Sequence, residues 1–296
     1  MRIVSIGEIL WDVFPDGERL GGAPFNFSAH AARLGHEALF LSAVGDDDRG
    51  RAAMEQARGL GLASDFLSTI PGASTGIVSV SLDSAGVPSF TIHRPAAYDY
   101  LRLSSQDLGA LSEFDPDLIY FGTLHQTTPE IKATTQLAIE ACPNARRFYD
   151  INLRRDSYNL FLLEEIMLLA SVAKLNADEA MELSRIFGLP DMSLRRACEY
   201  WSARCGWEAV AVTLGEKGCV ILSGGAWVEA KGYPVEVSDT VGSGDAFAAA
   251  FVHGLSLGWP LAEVADFANR LGALVASRPG AVPHWTLDEC QAPRAR

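Results

Sequence analysis

The sequence predicts an α/β fold, a mostly parallel central sheet between two helical layers with a small β excursion from it. Three observations carry this expectation. Short apolar strand-like runs at 118–121, 147–149, 172–175 and 209–214 alternate with helical segments, which implies parallel strands joined by right-handed crossovers. Two alternating runs, 75–82 and 87–93, are joined by Asp83-Ser84-Ala85-Gly86, a hairpin signal too early in the chain to belong to the main sheet. Finally, the polar stretch Asp239-Thr240-Val241-Gly242-Ser243-Gly244-Asp245 opens an apolar run, Phe247, Ala250, Phe251 and Leu255, at helical spacing.

Length and composition agree. The 296 residues, 48% of them hydrophobic, support a substantial core, and the lack of repeats or linkers favours a single domain over 1–296. A net charge of −13 and a sequence pI near 4.9 argue against nucleic acid or anionic membrane as partner, because phosphate backbones require clustered Lys and Arg. No apolar run approaches the roughly 18 residues of a membrane span, and Met1-Arg2-Ile3-Val4 enters a strand pattern without a signal-peptide profile, so the expected compartment is the cytoplasm. The five cysteines are scattered without a C-x-x-C pair, and the six histidines lack ligand spacing. Structural roles are expected for both.

From the N-terminus, residues 2–6 form an apolar strand ending at Gly7, and 9–14 a second run broken by Pro15-Asp16-Gly17. Asp12 interrupts that run, either as the solvent-facing residue of an alternating strand or as a ligand group. Gly21 and Gly22 make a turn that also permits close approach of a ligand, Pro24 starts a helix stopped at Gly35, and Asn26 can point its amide toward the same place. Phe25 and Phe27 either narrow a pocket or fill core. Residues 39–44 read as a strand, and Asp46-Asp47-Asp48 as a helix cap rather than a metal site. Arg94 leaves the hairpin before Pro95, as a surface charge on its own evidence.

In parallel sheets ligands lie outside the carboxyl ends of the strands. Polar residues gather at four such ends: Gly122-Thr123, Asp150-Ile151-Asn152-Leu153-Arg154, Asn176-Ala177-Asp178-Glu179, and Thr213-Leu214-Gly215. Asn176 with Glu179 is also a capping-box pattern, and Thr213 to Gly218 also a plain turn. The stretch at 239–245 is either an ordinary cap or an anion site. A helix start offers unpaired N–H groups and the positive end of a dipole, and Asp245 at its mouth can take a proton from an incoming hydroxyl.

Taken as a set, these stretches resemble the PfkB/ribokinase family of carbohydrate kinases, and its fructokinase-like branch in particular. The resemblance runs from Gly7 to Ala281 through Gly7-Glu8-Ile9-Leu10-Trp11-Asp12, Gly21-Gly22-Ala23-Pro24-x-Asn26, Asp150-x-Asn152-x-Arg154, Asn176-x-x-Glu179, Thr213-Leu214-Gly215-x-x-Gly218 and Asp239-Thr240-x-Gly242-x-Gly244-Asp245. It implies a ribokinase-like α/β/α fold whose β lid comes from about 9–20 and 75–98. The implied activity is ATP-dependent phosphorylation of a sugar primary hydroxyl, fructose leading. Ribose, tagatose, 2-keto-3-deoxygluconate or a nucleoside suit the same scaffold.

The resemblance also implies roles. Asp245 becomes the base, with the amides of Gly242, Ser243 and Gly244 as anion hole. Asp12, Gly21, Gly22, Asn26, Arg94 and Asn152 face the sugar, while Arg154, Asn176, Thr213, Gly215, Gly218 and Asn269 face ATP. Glu179 organises Mg²⁺ through water, and Asp239, Val241 and Gly280 hold K⁺ in potassium-activated members. An open lid edge offers a homodimer interface. A catalytically silent sugar sensor would share the fold; a dinucleotide-dependent dehydrogenase would need a G-x-G-x-x-G after the first strand, which is missing.

Overall fold

The computed structural model describes residues 1–82, 88–154 and 157–291. In chain order the strands are β1 (Arg2–Ile6), β2 (Leu10–Phe14), β3 (Gly17–Gly21), β4 (Glu37–Gly45), β5 (Leu67–Ile70), β6 (Gly76–Leu82), β7 (Pro88–His93), β8 (Leu118–Gly122), β9 (Arg146–Asp150), β10 (Val172–Asn176), β11 (Ala209–Thr213), β12 (Cys219–Ser223) and β13 (Ala226–Ala230). Nine form one sheet in the order β13-β12-β11-β10-β9-β8-β1-β4-β5, parallel from β11 to β5. The antiparallel hairpin β12–β13 at one edge is absent from the expected pattern. Gly224-Gly225, both in the left-handed region between two apolar runs, was its signal.

Period-two alternation assigns the faces. Ile3, Tyr120, Phe148, Ala209 and Ala211 pack under the helices α1 (Ala23–Arg33), α8 (Ser243–Ser256) and α9 (Leu261–Ala276). Their neighbours Val4, Ile119, Phe121, Tyr149, Val210 and Val212 pack on the opposite layer, built from α3 (Ser105–Phe114), α4 (Pro129–Ala141), α5 (Leu160–Leu169), α6 (Ala177–Ile186) and α7 (Leu194–Cys205). Phe25 and Phe27 belong to the core: both are buried, Phe25 edge-on to Phe40 and Phe27 stacked on Tyr120. The helix ending before Gly35 stops as expected, with Gly35 at φ 87°. Asp47 caps α2 (Asp48–Gly59) by accepting the Gly50 N–H, so the acidic triplet is cap chemistry.

A separate four-stranded sheet, β3-β2-β6-β7, stands off the main one. Its strands span 10–21 and 76–93, close to the segments expected; the hairpin tip at Asp83 to Gly86 lies outside the described residues. Because β2–β3 and β6–β7 leave the main sheet just after β1 and β5, this second sheet projects beside the carboxyl ends of the central strands.

Candidate active site

The centre of the site is the start of α8. Gly242 has φ 79°, and a Cβ there would stand 2.2 Å from the Ala281 carbonyl oxygen, so backbone conformation and close approach both demand glycine. No side chain caps the helix. The Ser243 N–H and hydroxyl both donate to the Thr240 carbonyl, at 3.3 and 2.8 Å, and the Ala246 N–H donates to the Gly242 carbonyl. The expected anion hole is therefore narrower: the Ser243 amide is spent on a turn, and the N–H groups of Gly244 and Asp245 carry the open end of the dipole.

Asp245 stands on this first turn. Its Oδ2 accepts from the Asn26 Nδ2 at 2.8 Å, so the Asn26 amide holds this carboxylate rather than pointing its donor at a ligand. Burial and repulsion from Asp150 push the Asp245 pKa up to about 6, against the pull of Lys174, Asn26 and Arg154. Below it lies a buried ion pair: Lys174 Nζ, on β10, donates to both carboxylate oxygens of Asp150 at 3.1 Å, and the Tyr120 hydroxyl donates to Asp150 at 3.2 Å. Burial works against the ammonium, but Asp150, Glu179 and Asp245 outweigh it and raise the Lys174 pKa. A Cβ on Gly244 would sit 3.2 Å from Nζ, which places this cation directly under the open helix end. Sequence reading missed Lys174; a lysine inside the apolar strand Val172–Asn176 was the available signal.

On one side of Asp245 lie Gly21, Gly22 and Asp12. A Cβ on Gly21 would stand 2.9 Å from Asp12 Oδ2, and one on Gly22 2.4 Å from the Glu8 carbonyl. The glycines let β2, β3 and α1 close together. Burial, with Asp239 and Asp245 nearby, pushes the Asp12 pKa up to about 6, while Arg154 and Arg19 oppose this. Asp12 is thus no ordinary solvent-facing strand residue. Asn152 takes φ 38°, and Arg154 is exposed within electrostatic reach of Glu8, Asp12 and Asp245. Arg94 departs from expectation: it donates to Asp99 and to the Leu124 carbonyl and lies over the Tyr98 ring, so it builds the wall behind the site.

On the other side a cleft of about 330 Å³ is lined by Thr213, Gly215, Gly218, Ser243, Gly244 and Asn269, among others. All the positions expected there except Asn176 and Arg154 meet in it. Gly218 is fixed by the return of the chain, because a Cβ would lie 2.0 Å from the Ala230 carbonyl. Asn269 spends its amide on the Ala230 and Lys231 carbonyls and so ties α9 to that edge. Asn176 and Glu179 form the capping box of the helix Ala177–Ile186; the Glu179 oxygens accept the N–H groups of Leu153 and Asn176 at 2.9 and 2.8 Å. Asp239 receives the N–H groups of Val241 and Gly280, which brings those three together at the back of α8.

Comparison with known proteins decides what this arrangement belongs to. The pattern of the pfkB family of carbohydrate kinases matches residues 9–286. The chain belongs to that family. This carbohydrate kinase is 30% identical to the aminoimidazole riboside kinase of Salmonella typhimurium, over 95% of its own chain and 91% of the relative. It is 28% identical to probable fructokinase-3 of Arabidopsis thaliana, over 97% and 89%. A sugar kinase from Pyrococcus horikoshii, solved in complex with ATP, superposes with a TM-score of 0.79 at 27% identity, covering 95% of this chain and 94% of that one. The enzyme is accordingly a phosphotransferase acting on a carbohydrate acceptor. Among the described residues no helix is long and apolar enough to cross a membrane.

Two features of this kinase's site had no forecast from sequence beyond their residue names. The Asp150–Lys174 pair joins β9 to β10, and Glu8 is buried at the end of β1. Both are polar groups inside apolar surroundings, which is where function and packing compete.

Proposed function

We propose that this kinase transfers the γ-phosphoryl group of ATP to a primary hydroxyl of fructose, with Asp245 as general base. The observation that carries the proposal is the position of Asp245: held by Asn26, on an uncapped helix start, above Lys174, between the Asp12–Gly21–Gly22 corner and the Thr213–Asn269 cleft. The Asp245 carboxylate accepts the hydroxyl proton as that oxygen attacks phosphorus in line, and ADP leaves. The N–H groups of Gly244 and Asp245, with the Lys174 ammonium beneath them, stabilise the charge on the transferring group.

Asp12, Gly21, Gly22 and Asn152 then bind the sugar, Arg154 the phosphates, and the cleft the nucleotide. Among the described residues no group of three or more His, Cys, Asp or Glu forms a metal cage. Glu179 spends both oxygens on the Leu153 and Asn176 N–H groups, so it would hold Mg²⁺ through the cation's own water, and Mg²⁺ would supply charge neutralisation on the phosphates. The loops tied by Asp239 offer backbone carbonyls to a monovalent cation. The second sheet would close over the sugar as a lid, excluding water and limiting ATP hydrolysis, and its free edges would pair in a homodimer. Action in the cytoplasm fits a sugar kinase that draws on ATP.

The test is ADP release with Mg-ATP against fructose, ribose, tagatose, 2-keto-3-deoxygluconate and aminoimidazole riboside. Turnover led by fructose supports the reading. Turnover led by aminoimidazole riboside replaces the sugar with the acceptor of the Salmonella relative. Sugar binding without ADP release from any acceptor overturns the proposed reaction.

A further inference from the structure

Between β13 and α8 the chain forms neither helix nor strand, and its first part, 231–238, runs as a strap along α9. Both ends of the strap are held through their backbone. Asn269 Nδ2 donates to the Ala230 and Lys231 carbonyls at 3.3 and 3.2 Å, and the N–H groups of Ser238 and Asp239 donate to the Ala276 carbonyl at 2.9 and 3.2 Å. Gly232, beside the first anchor, packs on the neighbouring turn, where a Cβ would stand 2.3 Å from the Glu216 carbonyl oxygen.

The middle of the strap is held differently. Among the described residues no backbone–backbone hydrogen bond involves 233–237, so side chains set its position. The Tyr233 hydroxyl donates to Asp266 Oδ1, Asp266 Oδ2 accepts the Arg270 Nε–H at 2.8 Å, and the Arg270 guanidinium carbon stands 4.8 Å from the centre of the Tyr233 ring. One side chain of the strap and two from successive turns of α9 thus close a triangle. Burial and the Asp266 carboxylate raise the Tyr233 pKa, which keeps the phenol a donor.

The triangle borders the cleft beside Asp245. Tyr233, Pro234, Val235 and Val237 all line that cleft, and Val237 is 59% exposed, so the strap offers it an apolar wall. The rest of the lining comes from α8, α9 and the 213–218 turn, whose backbones are fixed by helix and sheet bonds. Each link of the triangle is modest by itself, being a partly exposed ion pair, a cation over a ring and one hydrogen bond. Together they are cooperative, because losing any one member frees the other two.

Resting on the reading of this cleft as the nucleotide site, we propose that Tyr233, Asp266 and Arg270 are positioning residues for the nucleotide. Their triangle fixes the strap at the width the bound nucleotide requires, and so sets how tightly ATP and ADP are held while leaving phosphoryl transfer to Asp245 and the α8 amides. A wall ordered before binding spares the nucleotide the entropy of ordering it.

The experiment is calorimetric titration of the wild type, Tyr233→Phe, Asp266→Ala, Arg270→Met and the double variant Tyr233→Phe/Asp266→Ala with ADP and a non-hydrolysable ATP analogue, alongside steady-state kinetics with the best acceptor of the panel. Each single variant is expected to weaken both nucleotides by about three- to tenfold and to raise the KM for ATP in step, with kcat at saturating ATP and the KM for the acceptor within about twofold of the wild type. The double variant is expected to be no weaker than the worse single one. Arg195→Met supplies the control, since Arg195 on α7 also pairs with a carboxylate, Glu199, and lies over a ring, Trp227, but lines no part of the cleft. It is expected to leave nucleotide affinity unchanged. Unchanged affinity in all three single variants, additive losses in the double variant, or a fall in kcat with KM for ATP intact would each overturn the proposal. The titration needs no acceptor, so an error in the acceptor assigned above does not touch it, whereas a wild type that binds neither nucleotide overturns this proposal together with the nucleotide reading of the cleft. Tyr233→Phe removes a single oxygen, so it remains informative if Asp266→Ala or Arg270→Met does not fold.

Discussion

As the proposed base, Asp245 has to be ionised to take a proton, and its pKa is pushed up to about 6. Activity is therefore expected to be full above that value and to fall as pH drops through about 6, read as the acid limb of a kcat/KM profile. Asp245→Asn should lower kcat by roughly 10²–10⁴-fold while ATP affinity, measured by titration, stays near the wild-type value. Near-normal turnover in that variant would remove the base assignment. Lys174 acts on the same carboxylate from below. Lys174→Met should shift the acid limb to higher pH, because a favourable charge is lost, and should destabilise the protein by about 3–5 kcal/mol by leaving Asp150 buried and unpaired. The double variant with Asp150→Asn should recover much of that stability in urea denaturation, though not the rate.

At the scale of elements, the site depends on how one helix begins. Gly242 combines φ 79° with an Ala281 oxygen 2.2 Å from where a Cβ would be, whereas Gly35, at φ 87°, has nothing within 4 Å. Gly242→Ala should thus cost more than the roughly 1–3 kcal/mol of backbone strain alone and misplace the Gly244 and Asp245 amides; Gly35→Ala should cost about the strain alone and leave kcat unchanged. Equal effects on kcat would show that the α8 turn has no special geometry to protect. Helix α1 braces that turn from outside: Asn26 reaches Asp245, and one turn on His30 contacts the Ala281 carbonyl at 3.0 Å and accepts the Trp285 N–H at 3.1 Å. Burial holds His30 neutral, its pKa down to about 4, as that pair of bonds requires. Trp285→Phe should destabilise by about 1–3 kcal/mol through the unpaired ring nitrogen.

For the whole molecule, the buried carboxyls of Glu8, Asp12 and Asp245 set stability against pH. Glu8 has a folded pKa of about 7 against an ordinary 4.5, so the folded state binds this proton more tightly than the unfolded chain. The resulting stabilisation is complete below about 4.5 and is lost as pH rises to about 7. Asp12 and Asp245, both pushed up to about 6, act in the same direction. Glu8→Gln should therefore melt with the wild type near pH 4.5 and a few degrees above it at pH 8. A difference that shrinks with rising pH would contradict the buried, protonated state of this carboxyl.

The sequence by itself determined the layered α/β frame, the excursion that becomes the second sheet, and the edge where the polar residues collect. Local rules suffice for these: strand and helix periods, hairpin chemistry, and the left-handed preference of glycine at Gly22, Gly35 and Gly242. Tertiary structure alone decided how those residues spend their hydrogen bonds. Asn26 meets Asp245 across 219 positions of sequence, Lys174 reaches under α8 to Asp150, and Arg94 turns to Asp99. Strand neighbours set the burial of Glu8 and Asp245, and burial sets their charge. No local pattern records those distances, because desolvation and ion pairing depend on which elements the crossovers bring together.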